Sequence, residues 1–326
     1  MNRNLIVALL ICAACTGKYV RPTTDEKVEV SAERIERGKY LVDSVAVCGS
    51  CHSTWNNNDS LAGESPTGYL AGGNVISVAA EGFEVWVPNL TPDRETGLGD
   101  WSDDQIIRAT RDGVHADGRM LLPFMPFPSY QHLSDEDVRA VVVYLRSVPA
   151  VKQLRARSEN KAPFPIGFLL RRGVSHHLPV VSVAAPPAGD KIQVGKYLAA
   201  AAHCAGCHAL GTQGERADTD PLYMAGSVPP MDRGWGKIWA SNLTPDPDTG
   251  IGQFSADQLR DAFTTPRRLD GALMGPPMAD LSKRYATMKR EDLDAIVAWL
   301  QSLKPAKNAV PDRQLNELGR QALDAK

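Results

Sequence analysis

Cys48-Gly49-Ser50-Cys51-His52 and Cys204-Ala205-Gly206-Cys207-His208 put two thiols and an imidazole on a single helical turn, twice in one chain. Thiols at i and i+3 lie on the same face of a helix, so both can add to the vinyl groups of one porphyrin. The histidine next in line then lies beneath the iron. Cys-x-x-Cys-His is accordingly the attachment pattern of c-type haem. It makes Cys48, Cys51, Cys204 and Cys207 thioether donors, and His52 and His208 proximal ligands. Two other chemistries use Cys-x-x-Cys. A structural zinc site sets two such pairs about 12 to 20 residues apart, whereas these begin 156 residues apart. A thioredoxin-type dithiol needs a βαβ setting, and nothing around Cys48 or Cys204 alternates as a strand does.

The elements that must position these groups occur twice. Gly38-Lys39-Tyr40-Leu41 returns as Gly195-Lys196-Tyr197-Leu198, and Asn89-Leu90-Thr91-Pro92-Asp93 as Asn242-Leu243-Thr244-Pro245-Asp246. Asp117-Gly118 matches Asp270-Gly271, and Glu136-Asp137 matches Glu291-Asp292. The offset drifts from 157 through 153 to 155, so insertions are few. Each copy reads as helix, haem turn, long loop, helix, ligand loop, helix. Arg34–Val47 carries apolar residues at helical spacing, and Ser102 and Ser134 open helices with capping patterns. The second copy repeats this from Ser255 and from about Lys289. Strand signals are thin, so the fold class expected is all-α. The expected division is a leader over 1–14, a tether over 15–33, units over 34–149 and 191–305, a linker over 150–190 and a tail over 306–326. The linker is proline-rich and basic, yet its stretch 163–170 is apolar enough to pack across both units.

At 326 residues the chain is long enough for two cores. With 43% hydrophobic residues and a net charge of −2, it has no basic surplus to suggest nucleic acid. Asn2-Arg3 followed by the apolar run Leu5–Ala14 has the pattern of a signal peptide and is too short to span a bilayer. Ala13-Ala14-Cys15 resembles a bacterial lipobox, with Cys15 as the lipidated residue and Cys12 where leucine is preferred. The six cysteines are four in the haem motifs and two at the leader, which leaves none for a disulfide or metal cage. Haem c is attached outside the cytoplasmic membrane, so leader and motif agree on a periplasmic location, with a lipid anchor rather than a span.

The sixth ligand of each iron follows from the repeat. A residue with the same task in both units aligns in both, and a thioether raises a c-type haem's potential. At the local offset of 153, Met125 falls on Met278, whereas Met120 falls on Leu273 and Met274 on Leu121. Both follow proline-stiffened loops, and the alternative is a pair of core methionines. His115 aligns with Arg268 and His132 has no counterpart, which argues against bis-histidine ligation. A proximal histidine usually donates its second ring N–H to a carbonyl, and Pro88 and Ser241, just before the shared asparagine, are placed to accept it. Trp86 aligns with Trp239, so their indoles are candidates for a propionate contact or for core packing.

Each unit resembles a class I cytochrome c domain. The strings around Asn89–Trp101, Asp117–Phe127 and Leu133–Leu145 resemble the cytochrome c subunits of membrane-bound bacterial alcohol and gluconate dehydrogenases. The likeness covers about Ile35–Val148 and Ile192–Leu303. It implies two tandem domains, each wrapped around one covalently attached haem c, and a periplasmic carrier of single electrons rather than an enzyme. The partners implied are redox proteins met transiently, with no small-molecule substrate. Those subunits carry three haem domains, and this chain has two. A dihaem enzyme such as a peroxidase is the alternative, and it needs an open distal site that the Met125/Met278 pair argues against.

Overall fold

The computed structural model describes residues 21–56, 65, 67–78, 83–122, 124–154, 159–160, 182–212, 214–232 and 235–324. The leader, Cys15, the apolar linker stretch 163–170 and Pro123 lie outside the described residues. The first unit contains α1 (Ala32–Tyr40), α2 (Gly49–His52), α3 (Asp103–Arg111), α4 (Phe127–Tyr130) and α5 (Asp135–Ser147). The second repeats them as α6 (Lys191–Ala201), α7 (Ala205–His208), α8 (Ala256–Thr264), α9 (Met278–Tyr285) and α10 (Arg290–Ser302). A last helix, α11, spans Glu317–Asp324. Among the described residues no helix is long and apolar enough to cross a membrane.

Local chemistry sets the helix starts. Ser102 and Ser255 both close capping boxes, with Gln105 and Gln258 answering from the third helical position. Ser134 accepts from the Asp137 N–H in the same manner. The first helix departs from the expected run to Val47: after Tyr40 it continues as a π turn over Leu41–Val45. From Gly38 to Cys48 there is one residue more than from Gly195 to Cys204, and the π turn absorbs it. That insertion accounts for the first step in the repeat's drifting offset.

In each unit the first helix crosses the last at close range, α1 on α5 and α6 on α10. Glycine makes the approach possible: a Cβ on Gly38 would stand 2.0 Å from the Ala140 carbonyl oxygen, and one on Gly195 1.9 Å from that of Ala295. Leu41, Val42, Val138 and Val142 fill the first core, and Leu198, Ile296, Val297 and Leu300 the second, all at most 3% exposed. Each such side chain contributes about 1.5–3 kcal/mol by leaving water.

The expectation of an all-α chain holds for the packed core and misses small antiparallel sheets at its edge. Strands β1 (Val75–Val78), β2 (Phe83–Trp86) and β3 (Glu159–Asn160) form one sheet; β6 (Met231–Asp232), β7 (Gly236–Ile238) and β8 (Gln314–Leu315) form its counterpart. A two-residue ladder, β4 (Leu210–Gly211) with β5 (Gly214–Glu215), follows the second haem turn. β3 and β8 lie beyond the unit limits expected at 149 and 305, and both pair with their own unit's hairpin. The start of the linker and the start of the tail are therefore the same element, 155 residues apart. The stretch expected as a tether is also docked from residue 21: Arg21 pairs with Asp104 at 2.6 Å, and the Val28 N–H donates to Asp103 at 2.9 Å.

Candidate haem-attachment sites

Both haem turns begin with a residue in the left-handed region, Val47 at φ 46° and His203 at φ 57°. That conformation is unfavourable for a residue with a Cβ, and its occurrence in both units marks a turn held by its surroundings. It ends the first helix and starts the short helix carrying the second cysteine and the histidine. Cys48 and Cys204 are half-buried at the base of these turns, and desolvation pushes each thiol up to about 12. The exposed Cys51 and the half-buried Cys207 lie one turn on. The two Cys-x-x-Cys pairs do not converge: among the described residues no cluster of three or more metal-binding side chains exists.

His52 and His208 are each 8% exposed. Nδ1 of His52 lies 2.9 Å from the Pro88 carbonyl, and Nδ1 of His208 lies 2.8 Å from that of Ser241. A carbonyl only accepts, so Nδ1 carries the proton and Nε2 carries the lone pair that binds a metal. Burial also lowers the pKa of His208, which favours the neutral imidazole that a metal ligand requires. These are the two carbonyls that the repeat singled out.

The Asn-Leu-Thr-Pro-Asp repeat is what holds those carbonyls in place. Asn89 Nδ2 donates to the Val151 carbonyl at 2.7 Å, while its Oδ1 accepts from the Thr91 N–H at 2.8 Å. Asn242 makes the matching bonds to Ala306 and Thr244 at 2.8 and 2.9 Å. Asp93 and Asp246 then tie the loop shut through the Thr96 and Thr249 N–H groups, each at 2.7 Å.

The sequence reading passed over two glycines, although Ala71-Gly72 and Ala225-Gly226 recur at a fixed offset. The Gly72 N–H donates to the His52 carbonyl at 2.6 Å, and the Gly226 N–H to that of His208 at 2.8 Å. Both have positive φ, and a Cβ on Gly72 would meet the Pro88 carbonyl at 2.5 Å. Only glycine lets the chain pass the histidine at this distance.

Met125 is half-buried and packs on the first core beside α4. Met278 is half-buried and opens α9. They occupy matching places after the ligand loops. Trp239 is otherwise engaged than a propionate contact requires: its indole N–H donates to the Val228 carbonyl at 3.2 Å. Trp86 closes β2 opposite Val75. His115 packs edge-on against Trp101 at 4.7 Å and contacts Asp117, which ties it into its own loop.

The two units face each other across reciprocal contacts that sequence reasoning did not find. The Tyr40 hydroxyl donates to Asp292 at 2.5 Å and accepts from the Lys289 N–H at 3.2 Å. Tyr197 does the same to Asp137 at 2.5 Å and from the Ser134 N–H at 3.1 Å. Tyr40/Tyr197 and Asp137/Asp292 are repeat equivalents, so the interface is isologous, an internal pseudo-two-fold. The signal was present, since both pairs recur in the repeat. Behind the haem turns, the buried Tyr130 and Tyr285 donate to the Ala46 and Ala202 carbonyls at 3.4 and 3.2 Å. Burial raises both phenols well above their usual range, which keeps them protonated.

The chain is 32% identical over 282 residues to the gluconate 2-dehydrogenase cytochrome c subunit of Pantoea cypripedii, covering 82% of this chain and 59% of that one. It is 31% identical over 301 residues to the fructose dehydrogenase cytochrome subunit of Gluconobacter japonicus, covering 89% and 57%. The chain thus spans less than two thirds of those two relatives. A diheme cytochrome c-type protein of Cereibacter sphaeroides is 28% identical over 316 residues, covering 92% of this chain and 98% of that one. Residues 35–149 and 192–304, the two units that carry the haem turns, each match the family model for cytochrome c; the chain belongs to the cytochrome c family.

Proposed function

We propose that the protein is a periplasmic dihaem c-type cytochrome that carries single electrons between a donor and an acceptor protein. Membership of the family implies covalently attached haem c. In this reading Cys48 and Cys51 hold one haem, with His52 and Met125 as its axial ligands. Cys204 and Cys207 hold the other, with His208 and Met278. Haem iron supplies a reversible one-electron change. The chain's own part is to hold both axial positions and to keep water from them. The observation that carries the reading is the matched pair of histidines, each buried in a Cys-x-x-Cys-His turn with Nδ1 fixed on a backbone carbonyl.

The donor proposed is a dehydrogenase or a quinol-linked complex, in keeping with the relatives that are dehydrogenase cytochrome subunits. The acceptor proposed is another cytochrome or a terminal oxidase. Encounters of this kind use small, transient interfaces. In the same reading residues 1–14 are a cleaved leader, and a lipid on Cys15 holds the protein at the membrane face. The test is haem content. Two haems per chain should survive acidified-acetone extraction, give the pyridine haemochrome of haem c, and titrate reversibly with one electron each. Haem that extracts into the solvent, or fewer than two per chain, would overturn the reading.

A further inference from the structure

The stretch before the first unit is fastened along α3 and runs against the direction of that helix. Arg21 lies with Nη1 2.6 Å from Asp104 and Nε 3.1 Å from Asp112, whose side chains are 1% and 7% exposed. The Thr24 N–H donates to Asp104 at 3.0 Å, and the Val28 N–H to Asp103 at 2.9 Å. Arg139 donates to Glu26 at 2.7 Å, and Val28 packs on the core. Breaking ion pairs to carboxylates this buried is costly, so residues 21–28 belong to the folded unit.

The course of this segment fixes where the preceding chain must join it. Nε, the guanidinium nitrogen nearest the Arg21 backbone, is the one at Asp112. Asp112 closes α3 and leads directly into Gly113. There the loop that carries Met125 begins, and the Leu121 N–H returns to the Gly113 carbonyl at 2.7 Å. Phe124 on the same loop is 38% exposed. Cys15 lies six residues before Arg21. Fully extended, those residues reach about 20 Å, less than the roughly 30 Å across a unit of this size.

We infer that the first unit rests on the lipid bilayer by the side where α3 ends and its ligand loop begins, with the docked segment as the leash that sets this orientation. The inference rests on the reading of Cys15 as lipidated. A lipid there puts residue 15 at the headgroups, so Arg21 stays within about 20 Å of them. If the opposite side of the unit lay on the bilayer, Arg21 would stand roughly 30 Å above it, beyond the leash. The first haem is thereby kept close to any redox partner in the same bilayer.

The experiment uses the lipidated protein with both haems, in phosphatidylcholine vesicles that contain a nickel-chelating lipid. In the proposed mature protein Cys12 is removed with the leader, Cys15 is lipidated and the other four cysteines hold haem. Arg119→Cys and its repeat equivalent Ala272→Cys therefore each supply a single free thiol for a nitroxide, at exposed positions in the two ligand loops. With both haems reduced, the nickel lipid should relax the label at 119 several-fold more than the label at 272. Twenty Gly and Ser residues inserted between Val20 and Arg21 lengthen the reach to about 90 Å and should erase the difference. Equal relaxation at the two positions, stronger relaxation at 272, or a difference that survives the insertion would overturn the inference. A chain whose N-terminal peptide carries no lipid by mass spectrometry would instead overturn the anchor reading on which it rests.

Discussion

Replacing Met278 with alanine is expected to leave two haems on the chain and to let one of them, and only one, bind carbon monoxide when reduced. In the proposed assignment attachment rests on Cys204 and Cys207, and the proximal bond on His208, whose ring is held by the Ser241 carbonyl. None of these depends on Met278, which stands at the start of α9. A thioether is a weak ligand, and losing it opens one axial position without releasing the porphyrin. Because sulfur ligation raises a haem's potential, the opened haem should also become harder to reduce. Met125→Ala should do the same in the first unit, and the double variant should bind two carbon monoxide molecules per chain. A Met278→Ala protein with the parent's spectrum and no carbon monoxide binding would remove Met278 from the ligand set.

Gly195→Ala should be the most damaging small substitution in the second unit. The added methyl group would lie 1.9 Å from the Ala295 carbonyl oxygen, 2.5 Å from its carbon and 2.9 Å from Trp299 Cβ. Two of these are backbone atoms inside α10, so no side chain can turn aside. The helices must separate by more than an ångström, which opens gaps around Leu198, Ile296 and Leu300 along the same contact. Overpacking ordinarily costs about 1–3 kcal/mol. Separation of a backbone contact adds to that, and we expect on the order of 4 kcal/mol or more, the far end of what single substitutions do. The variant should accumulate with one haem instead of two, or melt well below the parent. A Gly195→Ala protein with two haems and the parent's unfolding temperature would contradict the packing account.

What the sequence made legible was whatever repeats or has a strong local code. The haem turns, the serine caps at 102, 134 and 255 and the carbonyls of Pro88 and Ser241 could be read because chemistry or alignment singles them out. The π turn could not, since one extra residue between Gly38 and Cys48 says nothing of how a helix accommodates it. The small sheets escaped notice because strands of two to four residues carry too little alternation to register. β3 and β8 were also hidden in segments that looked like linker and tail. The interface was the largest gap. Tyr40 and Asp137 stood in the repeat, but only the folded chain shows that each pairs with the other unit's partner.

Carbon monoxide titration of the purified, dithionite-reduced parent protein tests the central claim most directly. If His52 with Met125 and His208 with Met278 close both irons, the reduced spectrum will not change at any carbon monoxide concentration. Stoichiometric binding at one haem would show an open iron, contradict the electron-carrier account and point instead to a dihaem enzyme.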